Sequence, residues 1–171
     1  MFISHLAAIR TLLSQCAAYR TWVAAADASS ALPYILLGQA AAPAYTRYAI
    51  VGPASRMSWE GDAAAGPGVA AGTLQRSARL TFVRLMEDGD SFGETLATSF
   101  CELVEAATLQ LLAQRGGSAT PEDSYFVRME EADDHLLPED DDHPGTYPPR
   151  TRKAGTDLYG YMLSLDFHWS T

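Results

Sequence analysis

Ser91 follows Gly89 and Asp90 at the head of an apolar-periodic run, where a hydroxyl nucleophile would meet the positive end of a helix. Further along, Asp140 and His143 have the Asp-x-x-His spacing of an acid–base pair. The same residues have a plainer use. Asp88-Gly89-Asp90 turns the chain, and Ser91 with Glu94 has the capping-box spacing of a helix start. His135 and His143 lie among carboxylates and offer ligand types for Zn²⁺ or Ca²⁺. Neither an EF-hand loop nor a His-Glu-x-x-His helix is present, so no metal site is assigned and the run reads as acidic surface or a partner-facing arm. Gly66-Pro67-Gly68 and Ala71-Gly72-Thr73 lack the spacing and lysine of a phosphate-cradling loop, and no cofactor is expected. Arg150, Arg152 and Lys153 form the densest basic patch. Its preferred use is to complement, on a neighbouring subunit, the acidic run that includes Asp140, Asp141 and Asp142.

Charge sharpens this contrast. The chain has 21 acidic and 12 basic side chains in 171 residues, a net charge of -9, and eight of the carboxylates fall between Glu130 and Asp142. Such acidity disfavours a dedicated nucleic-acid binder, which needs a basic face to neutralise phosphates. With 47% hydrophobic and 19% charged residues, the sequence is that of one globular domain with a real core. Cys16 and Cys101 stand far apart in apolar helical patterns and read as buried thiols rather than a disulfide framework. The first residues lack the basic and apolar blocks of a signal peptide, and no run of 18 apolar residues occurs, so a soluble protein of a reducing compartment is expected.

The elements that must carry these residues follow from periodicity. Ile3, Leu6, Ile9, Leu13 and Cys16 predict a helix over residues 2–20, and Trp22 and Val23 anchor a second over 19–28. The YILL segment at 34–37 is compatible with helix or strand. YTRYAIV at 45–51 predicts a strand ending in a Gly52-Pro53 turn, followed by a long loop or hairpin arm over 53–72 that contains Trp59. In the next strand Leu74, Ala78, Leu80, Phe82 and Met86 share one parity, with Gln75, Ser77, Arg79 and Thr81 on the other. A helix of about 24 residues from Ser91 carries the stripe Leu96, Phe100, Leu103, Ala107 and Leu111 up to a stop at Arg115-Gly116-Gly117. Ser124–Met129 reads as a short strand, residues 130–156 as a second long arm, and the last residues as a strand alternating Tyr159, Tyr161, Leu163, Leu165, Phe167 and Trp169 with polar partners. His168 falls on that polar, exposed or interface side. The expected fold is a single α+β domain: about four strands, mostly antiparallel or mixed, packed against the long helix and the N-terminal helix, with long loops.

Two family resemblances bear on function. Gly89-Asp90-Ser91 resembles the nucleophile block of SGNH-type esterases, and Asp140 to His143 resembles that family's later triad segment. The chain has no asparagine, however, so the oxyanion-hole residue of that family has no counterpart. The order of elements as a whole resembles the tail terminators and related tail-completion (minor tail) proteins of long-tailed bacteriophages. The features that carry it are the N-terminal helix, YTRYAIVG at 45–52, the loop with Trp59, RSARLTFVRL, the helix FGETLATSFCELVEAATLQLLAQ, Gly116-Gly117 and the final aromatic strand. That resemblance implies a non-enzymatic virion protein of the tail or neck, made in the host cytoplasm. It implies a ring, usually of six subunits, that caps the tail tube, ends its polymerisation and meets a head-side connector or stopper, with genomic DNA only passing through the lumen and no membrane partner. Arg150, Arg152, Lys153, Asp140, Asp141, Asp142 and Trp59 are the expected oligomer or partner contacts, and the acidic run is expected to line or rim the channel. The alternatives are another neck, head–tail joining or minor tail protein, or a small hydrolase using Ser91.

Overall fold

The structure, a computed structural model, describes residues 2–38, 44–54, 58–61, 72–114, 125–132 and 135–170. Its elements are α1 (Phe2–Gln15), α2 (Ala17–Trp22), α3 (Ala28–Ala31), a 3-10 turn (Leu32–Tyr34), β1 (Ile35–Leu37), β2 (Arg47–Pro53), β3 (Ser58–Gly61), β4 (Gly72–Leu85), α4 (Glu94–Ala113), β5 (Tyr125–Glu131), β6 (Arg150–Arg152) and β7 (Tyr159–Ser170). All seven strands join one mixed sheet in the order β1-β2-β4-β7-β5, with β3 alongside β4 and β6 alongside β7. The α+β class is as expected, with seven strands in place of about four. The extra strands are three- and four-residue pieces, too short to carry a period that sequence can reveal.

β4 and β7 are the spine. They pair antiparallel over eleven positions from Gln75–Ser170 to Leu85–Gly160. One parity of both strands faces the helices, as predicted: Ala78, Leu80 and Phe82 meet Leu163, Leu165 and Phe167 in a core completed by α1, α2 and α4. Phe82, Leu80, Phe167 and Leu13 are fully buried. Each such side chain contributes about 1.5–3 kcal/mol relative to exposure, so this layer is the main source of stability.

The predicted helix over 2–20 is broken at Cys16, whose backbone is extended at φ -68, ψ 120. Two glutamines, Gln110 in α4 and Gln114 just after it, satisfy the broken ends. Gln110 Oε1 accepts from the Ala18 amide at 3.0 Å, and Gln114 Nε2 donates to the Leu12 carbonyl at 3.0 Å. These partners lie about a hundred residues away in sequence, out of reach of any local pattern. The second helix, expected over 19–28, ends at Trp22, and Asp27 instead caps the short α3 through a bond from the Ser30 amide. YILL resolves into the end of the 3-10 turn and the parallel strand β1.

Gly52 and Pro53 do not turn the chain; both pair with β4, opposite Arg79 and Ala78. Gly52 is small for another reason: a Cβ there would stand 3.0 Å from Leu136 Cδ1, so the missing side chain is the seat of Leu136. α4 begins at Glu94 after Gly93, three residues later than expected, and no side chain caps it. Its 20 residues run about 30 Å along the sheet. Phe100, Val104, Ala107, Thr108 and Leu111 are its buried row, with Leu96 and Leu103 half-buried on its flank. It is the one described helix with the length and mean hydropathy (1.3) of a membrane span, and that buried row is what the core uses. Its predicted stop at Arg115-Gly116-Gly117 lies outside the described residues.

Candidate interface and the polar seam of the sheet

The two long arms are only partly arms. β3, within the 53–72 segment, pairs antiparallel with the first residues of β4. Trp59 lies opposite Leu74 there, with its side chain outside what the structure describes. The 130–156 segment starts as the end of β5 and finishes as β6. Between them, residues 136–138 lie over the sheet face that carries no helices, and residues 146–148 reach the flank of α4. Leu136 and Leu137 pack against Tyr48, Ile50, Val83, Leu85 and Met162.

This folding disperses the acidic run. Glu130 sits inside the sheet edge, and Glu131 accepts a 3.4 Å bond from the Tyr147 hydroxyl. Glu139 bridges to Thr151. Asp140 is 4% exposed, its Oδ2 lying 2.8 Å from His143 Nδ1, and that bond holds its carboxyl below the usual aspartate range. Asp140 is therefore a structural residue and not an available partner contact, whereas Asp141 and Asp142 are exposed. Residues 133 and 134 lie outside the described residues.

The basic patch meets the acidic loop within one chain, through bonds to main-chain carbonyls. The Asp140 amide donates to the Arg150 carbonyl at 2.8 Å, and Thr151 Oγ1 donates to the Pro138 carbonyl at 3.0 Å. The patch lies in β6 rather than a loop because Arg150, Thr151 and Arg152 pair with Tyr161, Gly160 and Tyr159. A Cβ on Gly160 would collide with the Arg84 carbonyl, so only glycine lets the strands run this close. Strand parity then sends both arginines to the helix-bearing face. Arg150 stacks 3.9 Å over Phe92, and Arg152 lies 5.4 Å over Tyr159 while pairing with Asp157 at 2.9 Å. Arg152 keeps about half its side chain in solvent, and Lys153 is half-buried.

Ser91 is exposed and precedes α4 without capping it. Its neighbour Asp90 is spoken for, bonded to Arg84 Nη2 at 2.7 Å and to the Glu87 amide at 2.8 Å. Glu87 in turn takes two bonds from Arg47, at 2.9 and 2.7 Å, and one from Thr46 at 2.6 Å. The Arg47 bonds dominate in pulling the Glu87 carboxyl down to about 2. Among the described residues no group of three or more His, Cys, Asp or Glu side chains is placed to hold a metal ion. His135 lies 3.6 Å from Glu139.

The arrangement that the sequence reading missed is on the second face. The polar parity of β4 and β7, expected to meet solvent, is buried and pairs rung by rung across the seam. Thr81 Oγ1 and Ser164 Oγ are 2.6 Å apart. Arg79 donates to both oxygens of Asp166, at 2.7 and 2.8 Å. Ser77 Oγ lies 2.6 Å from His168 Nδ1, whose Nε2 reaches Glu130 at 3.1 Å. Ser77, Arg79, Thr81 and Ser164 are all less than a tenth exposed. His168 is half-buried in this chain of bonds instead of standing free at an interface. A Ser–His–Glu order is also that of a nucleophile, base and orienter. Here its hydroxyl sits in the middle of a fourteen-residue strand, 6% exposed, beside two further satisfied pairs. The arrangement satisfies buried polar groups. A signal for it was present: the register is set by position numbers that sum to 245, so 79 + 166 brings Arg to Asp and 77 + 168 brings Ser to His.

No protein-family model matches this chain, and a search of curated proteins returned no significant match.

Proposed function

We propose that this chain is a structural virion protein of the tail-completion class. In this reading it caps the tail tube of a long-tailed phage as a ring, stops tube polymerisation and presents a surface to the head-side connector. The observation that carries the reading is the element order within one sheet. An N-terminal helix leads through a strand at 47–53 and a long central strand to a 20-residue helix, and an aromatic final strand closes beside the central one. The resemblance stated from sequence rests on that same order. The consumption of reactive side chains supports it further: Asp90, Asp140, His143 and His168 are tied into internal bonds that hold turns and strands. In this reading function lies in surface shape, provided by sheet edges and exposed apolar residues such as Leu109 and Tyr147.

In such a ring each subunit uses two different surfaces, a head-to-tail contact that closes by rotation. The contact residues in this reading are Arg152, Lys153, Asp141 and Asp142, joined by Trp59 on β3. The test is incubation of the purified protein with assembled tail tubes, read by electron microscopy and by light-scattering mass. Density at one tube end and arrest of further elongation are expected. Binding to the capsid portal in place of the tube would make it a head-side joining protein. A persistent monomer that joins neither refutes the assignment.

A further inference from the structure

α4 stands on the sheet with its buried row inward, and one of its flanks faces the 146–150 loop across an open trough of about 620 Å³. The floor is made of small side chains, Ala97 and Thr98 with Cys101 one turn further along the helix. On the opposite wall Tyr147, 66% exposed, stands beside the buried Pro148.

The rim is acidic and unpaired. Glu94, Glu102 and Glu105 line the trough, and none of them makes an ion pair with a described residue. Glu131 adds a fourth carboxylate: Tyr147 bonds to it, and after burial its charge is the second cause that raises the Cys101 thiol. Among the described residues that line the trough the one cation is Arg150, and its guanidinium is held over the Phe92 ring. Two polar atoms in the wall, Arg150 Nε and Thr146 Oγ1, are shielded from solvent without a hydrogen-bond partner.

The charge of the rim selects the occupant, and its length sets the size. From Glu94 to Glu105 the helix rises about 16 Å, with the middle carboxylate about 12 Å along. An extended chain covers that length in about five residues, with alternate side chains on one side about 7 Å apart. Lysine and arginine stems would lie along Tyr147 and Pro148 while their charged heads reach the rim. Phosphate-bearing partners are repelled by the same carboxylates. We propose that the trough between α4 and the 146–150 loop is a docking groove for an extended basic segment of a partner protein, with Lys or Arg at alternate positions. This proposal stands apart from the tail-completion reading, since it rests only on the trough.

A fluorescent peptide of alternating lysine and alanine, about seven residues long, is the probe, titrated by anisotropy at low and at physiological ionic strength. Saturable binding to one site is expected. Glu102→Gln/Glu105→Gln should weaken it at least about tenfold, whereas Asp141→Asn/Asp142→Asn, which removes equal charge from the exposed loop, should change it less than about twofold. All four residues are exposed, so thermal melts of both variants should match the parent. Bound peptide should also slow labelling of Cys101 by a thiol reagent. Absence of binding, equal loss in the two double variants, or an unchanged Cys101 labelling rate at saturating peptide would each overturn the proposal.

Discussion

The two faces of the β4–β7 spine are built from alternate residues of the same strands yet held together by different physics. Under the helices, Leu80, Phe82, Leu163 and Phe167 gain from removing apolar surface from water, and the gain is tolerant of small shifts. On the other face Arg79–Asp166, Thr81–Ser164 and Ser77–His168 exist only if both partners sit at one register. A buried polar pair adds little net stability over a well-packed apolar pair, but breaking it is costly. The comparison teaches that the apolar face supplies energy while the polar seam fixes alignment. A slip by one residue would bury Arg79 without a carboxylate.

The largest effects should come from opposing substitutions on the two faces. Phe82→Ala should cost about 3–5 kcal/mol through its cavity. Arg79→Met should cost about 3–5 kcal/mol by stranding Asp166 in a nearly closed site. Urea melts then separate the mechanisms: Arg79→Met/Asp166→Leu should recover most of the loss, whereas no second apolar-to-apolar change beside Phe82 is expected to do so. If the double variant stays as unstable as Arg79→Met alone, the seam is more than a set of pairs.

The loop that covers the second face should show an intermediate effect. Leu136→Ala is expected to cost about 1–3 kcal/mol, since the side chain is half-buried against Gly52. Gly52→Ala should be less costly in the Leu136→Ala background than in the parent, a coupling that a double-mutant cycle reads directly. Additive costs would mean the loop does not rest on that glycine.

A smaller effect belongs to the ion cluster at the end of the spine, with Glu87 about a third exposed. Its folded carboxyl is depressed to about 2 from an ordinary 4.5. The stabilisation is therefore fully present above pH 4.5 and is lost as pH falls from 4.5 through 2. Glu87→Gln should cost about 1 kcal/mol at neutral pH and flatten the acid limb of the stability profile in that window. The smallest effect should be Ser91→Ala, at less than about 0.5 kcal/mol by thermal melt. A loss of about 1 kcal/mol there would restore Ser91 as a cap.

Much of the fold was legible because its signals are local and long. The alternation of β4 and β7 and the apolar row of α4 each persist over many residues, and the helix-facing core follows from them. The contact residues were less legible. Asp140, Asp141 and Asp142 look alike in sequence, but a turn closed by the His143 amide onto the Asp140 carbonyl buries the first and leaves the others outside. Arg150 and Arg152 look like loop charges in the sequence because three residues of β6 leave no period to detect. The acidic trough was hidden because its walls come from α4 and from a loop about fifty residues later.

The sequence by itself determined which parity of each long strand is apolar, where the long helix runs, and that the class is α+β. Each of these depends on side chains a few residues apart, whose spacing the backbone geometry fixes. Only the tertiary structure decided that the polar parity is also buried, that the first helix breaks at Cys16, and that Gly52 is a seat instead of a turn. In all three cases the deciding partner is distant in sequence: Asp166 for Arg79, Gln110 and Gln114 for the helix ends, and Leu136 for Gly52. A buried polar group takes its bond from whatever the fold brings within reach, and proximity in space is what the linear order does not contain.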